Sequence, residues 1–251
     1  QIIGKQFKWF LGLAHYGIKQ DTVDIDNLNK GQDEEDKLPY TGGGLFGKYM
    51  DLGLIPENQS DGGKTNIFRF GLVYDTRDNE PNPMKGIWTD AQLILAPSFL
   101  GNDYAFTKLA LTHRQYFTLV PKKLNFAYRI GYQDKISGEM PFYMLPFVFN
   151  IGRQLDRDGL GGAKTLRGIL RNRIVGEDFI YSNFELRWKF LRTIVFNQNL
   201  YLALSGFVDA GQVTGKYNID KSSLPDKIRF RKNNETVTLE KTSLFPDKQE
   251  N

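Results

Sequence analysis

The sequence predicts an all-β fold, an antiparallel transmembrane β-barrel. Three observations support this: stretches of strict two-residue alternation, connections that are short on one side and long on the other, and a strongly aromatic composition. The 251 residues include 19 Phe, 12 Tyr and 3 Trp, with 25 Gly and 4 Met, a mix that suits strands and turns better than helices.

Taken in order, residues 6–19 are the weakest candidate strand. Residues 69–77 set Phe70, Leu72 and Tyr74 opposite Arg69, Gly71, Val73, Asp75 and Arg77. Residues 86–97 and 104–120 are strand-like with looser alternation. The clearest period lies in residues 124–133, where Leu124, Phe126, Tyr128, Ile130 and Tyr132 alternate with Asn125, Ala127, Arg129, Gly131 and Gln133. In residues 183–190, Phe184, Leu186, Trp188 and Phe190 share one face while Asn183, Glu185, Arg187 and Lys189 share the other. A helix would mix those two sets. Residues 200–213 complete a series of about seven long strands.

The links between strands are unequal. Val120-Pro121-Lys122-Lys123 makes one short turn, and the link between Trp188 and Tyr201 is also brief. By contrast, residues 21–66 separate the first two strands, residues 137–179 separate the middle ones, and everything beyond Gly215 is polar and turn-rich. Short turns on one side and long loops on the other describe an outer-membrane barrel, whose spans need about 9–11 residues. A soluble sandwich or lipocalin-like barrel alternates too, with the apolar face inward and strands of about 5–6 residues. Runs as long as residues 104–120 favour the membrane barrel. Trp88, Tyr104, Phe106, Tyr116, Phe117, Tyr132, Trp188 and Phe190 lie toward strand ends, where interfacial girdles belong; packing within a soluble core is the other reading of the same positions.

Composition removes several function classes. Without Cys there are no disulfides, thiolate nucleophiles or thiolate metal sites. The 33 basic residues are interleaved with 29 acidic ones for a net charge of +4, so no polycationic arm points to nucleic acid. No apolar run reaches the ~18 residues of a membrane helix. A mean hydropathy of -0.43 is compatible with a barrel, because lumen-facing polar residues offset the lipid-facing ones. Residues 42–48, Gly-Gly-Gly-Leu-Phe-Gly-Lys, approach a phosphate loop, but Tyr49 stands where Ser or Thr must reach magnesium, so an extracellular loop is expected there. His15 and His113 have no acidic or second His partner at ligand spacing and read as ordinary strand residues. No Gly-x-Ser-x-Gly elbow is present. Asp75 and Asp78 fall on opposite parities of a strand, which suits a charge network at the lumen and rim better than paired acid and base chemistry. Asp156, Asp158 and Glu177 read as solvated loop charges rather than calcium ligands.

Several blocks resemble the carboxy-terminal barrel of the BamA/TamA superfamily, also called the bacterial surface antigen family. Gly71-Leu72-Val73-Tyr74-Asp75-Thr76-Arg77-Asp78-Asn79 followed by Pro83-Met84-Lys85-Gly86 resembles the strand, turn and strand that open the family's domain. Gly138-Glu139-Met140-Pro141-Phe142-Tyr143 resembles the start of its long sixth extracellular loop. Gly161-Gly162-Ala163-Lys164-Thr165-Leu166-Arg167-Gly168-Ile169 resembles the loop tip, whose family pattern is a Val-Arg-Gly-Phe type tetrapeptide; Leu166 replaces Val and Ile169 replaces the aromatic residue. Asn183-Phe184-Glu185-Leu186-Arg187 and Phe207-Val208-Asp209-Ala210-Gly211 resemble the two following strands. The blocks occur in the family's order and span about residues 66–213.

The resemblance implies that residues 1–251 are part of one barrel domain that has 16 strands in the family. Residues 138–177 would be a long loop folding into the lumen with an Arg-Gly tip. Both barrel ends and any preceding periplasmic POTRA repeats would be absent from a chain that starts at Gln1 without a signal peptide and stops at Asn251 without a terminal aromatic strand. The resemblance further implies that Arg167 pairs with acidic residues on the next two strands. Parity agrees, since Glu185 lies opposite Phe184 and Leu186, and Asp209 lies opposite Val208 and Ala210, so both carboxylates should face the lumen. Gly168 would allow the turn that places the arginine fork. The implied function is insertion or translocation of outer-membrane proteins through a laterally opening barrel, without catalysis, cofactor or metal. Implied partners are the lipid bilayer, nascent outer-membrane proteins, and periplasmic chaperones or assembly lipoproteins, with no nucleic acid. The alternatives are a barrel tethering an upstream patatin-like lipase and a passive pore or structural surface protein.

Overall fold

In a computed structural model of the chain, the alternating segments pair as one antiparallel sheet. The structure describes residues 2–3, 6–38, 44–51, 53–151, 155–215, 227–232 and 235–240. A two-residue strand, β1 (Ile2–Ile3), precedes seven long ones: β2 (Phe7–Lys19), β3 (Gly62–Asp75), β4 (Gly86–Ala96), β5 (Phe106–Val120), β6 (Leu124–Gly138), β7 (Phe179–Val195) and β8 (Gln198–Val213). Each pairs with its neighbour in sequence, in the order β1 to β8. Strands of 13 to 17 residues in β2, β5, β6, β7 and β8 exceed the length needed to cross a bilayer when tilted. The register shifts between Thr107 and Lys108 and between Thr118 and Val120 in the β5–β6 pair, and between Lys189 and Leu191 in the β7–β8 pair, irregularities of the kind that raise local twist.

Burial decides which face is which. On β6 and β7 the polar and small parity is covered, with Asn125 0% and Gln133 2% exposed, whereas Phe184, Leu186 and Trp188 on the opposite parity are 40%, 45% and 50% exposed. β3 repeats the pattern, burying Arg69 and Val73 while exposing Phe68, Phe70 and Leu72. A soluble sandwich turns its apolar parity inward; this sheet turns it outward, as a lipid-facing wall does. On that outward face Phe117, Phe126, Tyr128 and Phe184 form a ladder of rings, with Phe126 and Phe184 stacked at 6.5 Å. His113 sits beside it, its Nδ1 2.7 Å from Thr89 Oγ1 and its Nε2 3.2 Å from the Tyr128 hydroxyl.

The inner face is covered by the connection 139–178. Met140, Tyr143, Met144, Phe147 and Phe149 of that loop pack on Ile67, Ile94, Ala96, Phe106 and Ala110 of β3, β4 and β5. A second cluster joins Val148, Leu160 and Leu166 to Phe179 and Tyr181 of β7. The Gln133 side chain docks the loop backbone at Phe149 from both sides, its Nε2 donating to the carbonyl at 2.9 Å and its Oε1 accepting from the amide at 3.2 Å. Gly131 lets the Tyr181 ring cross its strand, since a Cβ there would lie 2.3 Å from that ring.

Several sequence expectations are corrected. Of the two readings open for the strand-end aromatics, the girdle reading fails for Trp88, Phe106 and Tyr116, which share the inner parity: Phe106 is buried in the loop-facing cluster. Trp88 donates from Nε1 to Asp90 Oδ1 at 3.0 Å and lies under the Arg77 guanidinium at 4.1 Å. Strand ends mix the two parities, so position along a strand does not decide orientation. β3 stops at Asp75, and Arg77 folds back to ion-pair with it at 2.9 Å. Asp78 lies in the following turn and accepts from the Met84 and Lys85 amides. Asp156, Asp158 and Glu177 are paired rather than simply solvated, Asp156 with Lys164, Asp158 with Arg171 at 3.6 Å and Glu177 with Lys135 at 2.8 Å.

Residues 19–61 and 218–251 form a second compact unit. It contains a short helix, α1 (Ile25–Asn29), N-capped by the Asp24 side chain, and a longer one, α2 (Gly44–Asp51). The Gly-rich stretch expected as a loop is therefore helical from Gly44, while Gly42 and Gly43 lie outside the described residues. The polar stretch after Gly215 contains a hairpin of β9 (Lys227–Lys232) and β10 (Glu235–Glu240).

Candidate functional site

The site is built where the tip of the loop meets β7 and β8. Locally the tip is held by its own backbone. Gly162 N donates to Ile169 O at 2.8 Å and Ile169 N to Leu166 O at 3.3 Å. The Thr165 hydroxyl bridges the Gly159 and Gly161 carbonyls and accepts from Gly161 N at 2.7 Å. Gly168 takes φ +92 with open space around it, so the position requires glycine for backbone conformation and not for room. Leu166 is buried in the second inner cluster, whereas Ile169 is 37% exposed.

This turn aims Arg167 at two strands. Its Nε and Nη2 donate to the two oxygens of Asp209 at 2.8 and 2.7 Å, and its own amide donates to Asp209 Oδ2 at 2.9 Å. Nη1 donates to Glu185 Oε2 at 3.2 Å. The Asp209 side chain is 3% exposed and that of Arg167 25%, so the acceptor of this bidentate, charge-assisted fork is shielded while the guanidinium borders the recess. The guanidinium also lies 3.7 Å from the Phe207 ring centroid, within cation–π range. Hydrogen bonding to Asp209 raises the Arg167 pKa further above its ordinary range, so the clamp's cation stays charged.

The sequence-derived residues Arg167, Glu185 and Asp209 thus come together, with Leu166 and Gly168 shaping the turn and Ile169 outside the cluster. Sequence reasoning missed four contributors. Phe207 supplies the ring face. Arg187 shares Glu185, donating from Nε at 3.1 Å. The Ser205 hydroxyl also donates to Glu185. Asn183 donates from Nδ2 to Thr165 O at 2.6 Å. All four share the parity of Glu185 or Asp209, and an aromatic residue on the polar parity, as Phe207 is, was the available signal. Among the described residues, no group of three or more His, Cys, Asp or Glu side chains is placed to hold a metal.

The model of the Omp85 superfamily domain matches residues 7–233. The chain belongs to the Omp85 superfamily. This agrees with the BamA/TamA resemblance carried by the motif blocks. Among solved structures, the fold is similar to BamA from Haemophilus ducreyi lacking POTRA domains 1–3, with a TM-score of 0.51 and 17% identity. The match covers 84% of this chain and 39% of that one, so this Omp85 chain spans about two-fifths of that structure. The likeness is one of fold. No curated protein matches the chain.

Proposed function

We propose that this Omp85 chain is part of the wall of one bacterial outer-membrane barrel domain that inserts or translocates other outer-membrane proteins. The observation that carries the reading is the Arg167 clamp, which ties a long loop to two adjacent wall strands from the lumen side. Glu185 and Asp209 brace the loop, and Leu166, Gly168 and Ile169 set the geometry of its tip. The outward apolar parity supplies the bilayer contact.

Mechanism on this reading is physical, with no bond chemistry and no cofactor. A barrel that parts at a weakly paired seam exposes strand edges whose unpaired N–H and C=O groups template an incoming strand. In lipid each unpaired backbone group costs several kcal/mol, so an open seam favours pairing with a client strand. A braced loop keeps the rest of the wall rigid while the seam moves. Partners on this reading are the bilayer, nascent outer-membrane proteins, and the chaperones or lipoproteins that deliver them.

The test uses the full-length protein in vesicles with a urea-unfolded barrel client, following client folding by its shift on unheated SDS gels. Wild type is expected to accelerate folding at least about tenfold, the equivalent of 1.4 kcal/mol in barrier. Unaccelerated folding together with a large, stable single-channel conductance would instead establish a passive pore. An upstream Gly-x-Ser-x-Gly segment with esterase activity in the full-length protein would establish a tethered lipase.

A further inference from the structure

Beside the clamp, the loop tip and the wall line an open recess of about 490 Å³. Its cations outnumber its anions, and the surplus is localised. Glu185 serves Arg167 and Arg187, and Asp156 serves Lys164. Arg114 of β5 and Arg129 of β6 line the same recess, and among the described residues neither forms an ion pair. Among the described residues Arg129 donates to two neutral oxygens, Asn183 Oδ1 at 2.8 Å and the Lys164 carbonyl, and lies 5.0 Å from the Tyr181 ring centroid. Arg114 Nε is buried without a hydrogen-bond partner among the described residues; its guanidinium lies 5.6 Å from the Trp88 ring.

The two arginines are directly opposite in the β5–β6 register. Like charges at such positions repel, and a buried N–H without an acceptor costs about 1–3 kcal/mol. Two guanidinium groups that line one recess and have no carboxylate within ion-pair distance among the described residues are an arrangement that can recognise an oxyanion. The surplus of two guanidinium charges on this lining favours an ion with more than one negative charge.

We propose that this recess binds a phosphate-class oxyanion between the forks of Arg114 and Arg129, adding a second tie between the loop and the wall. Lys164 and Asn150 belong to the loop and line the recess with the two arginines, so a bound anion joins the elements that the Arg167 clamp already holds. The inference is independent of what the barrel transports.

The test is calorimetric titration of the full-length protein, purified without phosphate, with inorganic phosphate and with acetate. Saturable phosphate binding at least about tenfold tighter than acetate is expected, and Arg114→Gln or Arg129→Gln should each weaken it about tenfold or more, 1.4 kcal/mol each. Arg114→Lys keeps the charge without the fork and should lose an intermediate amount, so the comparison survives if a glutamine variant fails to fold. Phosphate should also slow proteolysis of residues 139–178 in wild type. Glucosamine 1-phosphate binding tighter than phosphate would assign the site to a phosphorylated sugar headgroup, and weaker binding would assign it to the free ion. Absent phosphate binding, binding no tighter than acetate, or equal phosphate affinity in wild type and the arginine variants would overturn the proposal.

Discussion

Arg167→Ala is expected to release the loop tip from the wall and destabilise the folded barrel by about 3–5 kcal/mol, the cost of leaving a buried charge without its partner. The stranded partner is Asp209, whose side chain is 3% exposed and accepts from the arginine fork at 2.7 and 2.8 Å. Asp209→Ala should cost nearly as much, because it removes both fork bonds and the one to the Arg167 amide. Glu185→Ala should cost less, since Glu185 makes a single bond to Arg167 at 3.2 Å and its loss leaves the Asp209 fork intact. Urea unfolding of vesicle-reconstituted protein gives the ranking, and protease sensitivity of residues 139–178 reports the loop directly. The charge-swapped pair Arg167→Asp with Asp209→Arg should recover part of the loss, as coupled residues do in a double-mutant cycle. Unchanged loop protection in Arg167→Ala would remove the clamp's assigned role.

The second large effect is expected on the opposite face. Leu111 lies mid-strand on β5 with its side chain outward. An arginine there would sit in hydrocarbon, so Leu111→Arg should destabilise by about 2–4 kcal/mol. Leu119 is exposed at the register shift one residue from the end of β5, and Leu119→Arg should cost about 0–1 kcal/mol because the penalty falls toward the interface. In a water-exposed sheet both substitutions would stay within about 0.5 kcal/mol. The difference between the two positions therefore reads depth in a bilayer.

Much of this was legible in the sequence because a strand writes its two faces in alternate letters. The clean alternation at Leu124, Phe126, Tyr128, Ile130 and Tyr132 runs through the part of β6 paired with β7, and the parities of Glu185 and Asp209 place both carboxylates beside Arg167. What alternation cannot encode is an aromatic residue on the inner parity. Trp88 and Phe106 read as girdle residues, yet Trp88 packs under Arg77 and Phe106 under the loop, because a loop-filled lumen has an apolar core of its own. Pairings made by the loop were hidden as well. Asp156 with Lys164, or Gln133 with the Phe149 backbone, depends on the path of the loop, which no local period specifies. The helix at Gly44–Asp51 was obscured by the glycines before it, whose turn chemistry outweighed the short amphipathic segment that follows.

The most direct measurement of the inside-out wall exploits the absence of cysteine from the sequence. Single cysteines at Phe126 and Ile130, on the outward parity of β6, and at Ala127 and Gln133, on the inner one, can each be placed in the full-length protein in vesicles, with any cysteine outside these 251 residues first replaced by serine. They would be challenged with a bilayer-dissolved maleimide and a membrane-impermeant one, with Ser98 as an exposed loop reference. Phe126→Cys and Ile130→Cys should react with the bilayer probe and resist the impermeant one, while Ala127→Cys and Gln133→Cys should resist the bilayer probe. Outward positions that react with the impermeant maleimide as fast as Ser98→Cys would contradict a lipid-facing wall and return the chain to a water-soluble sheet.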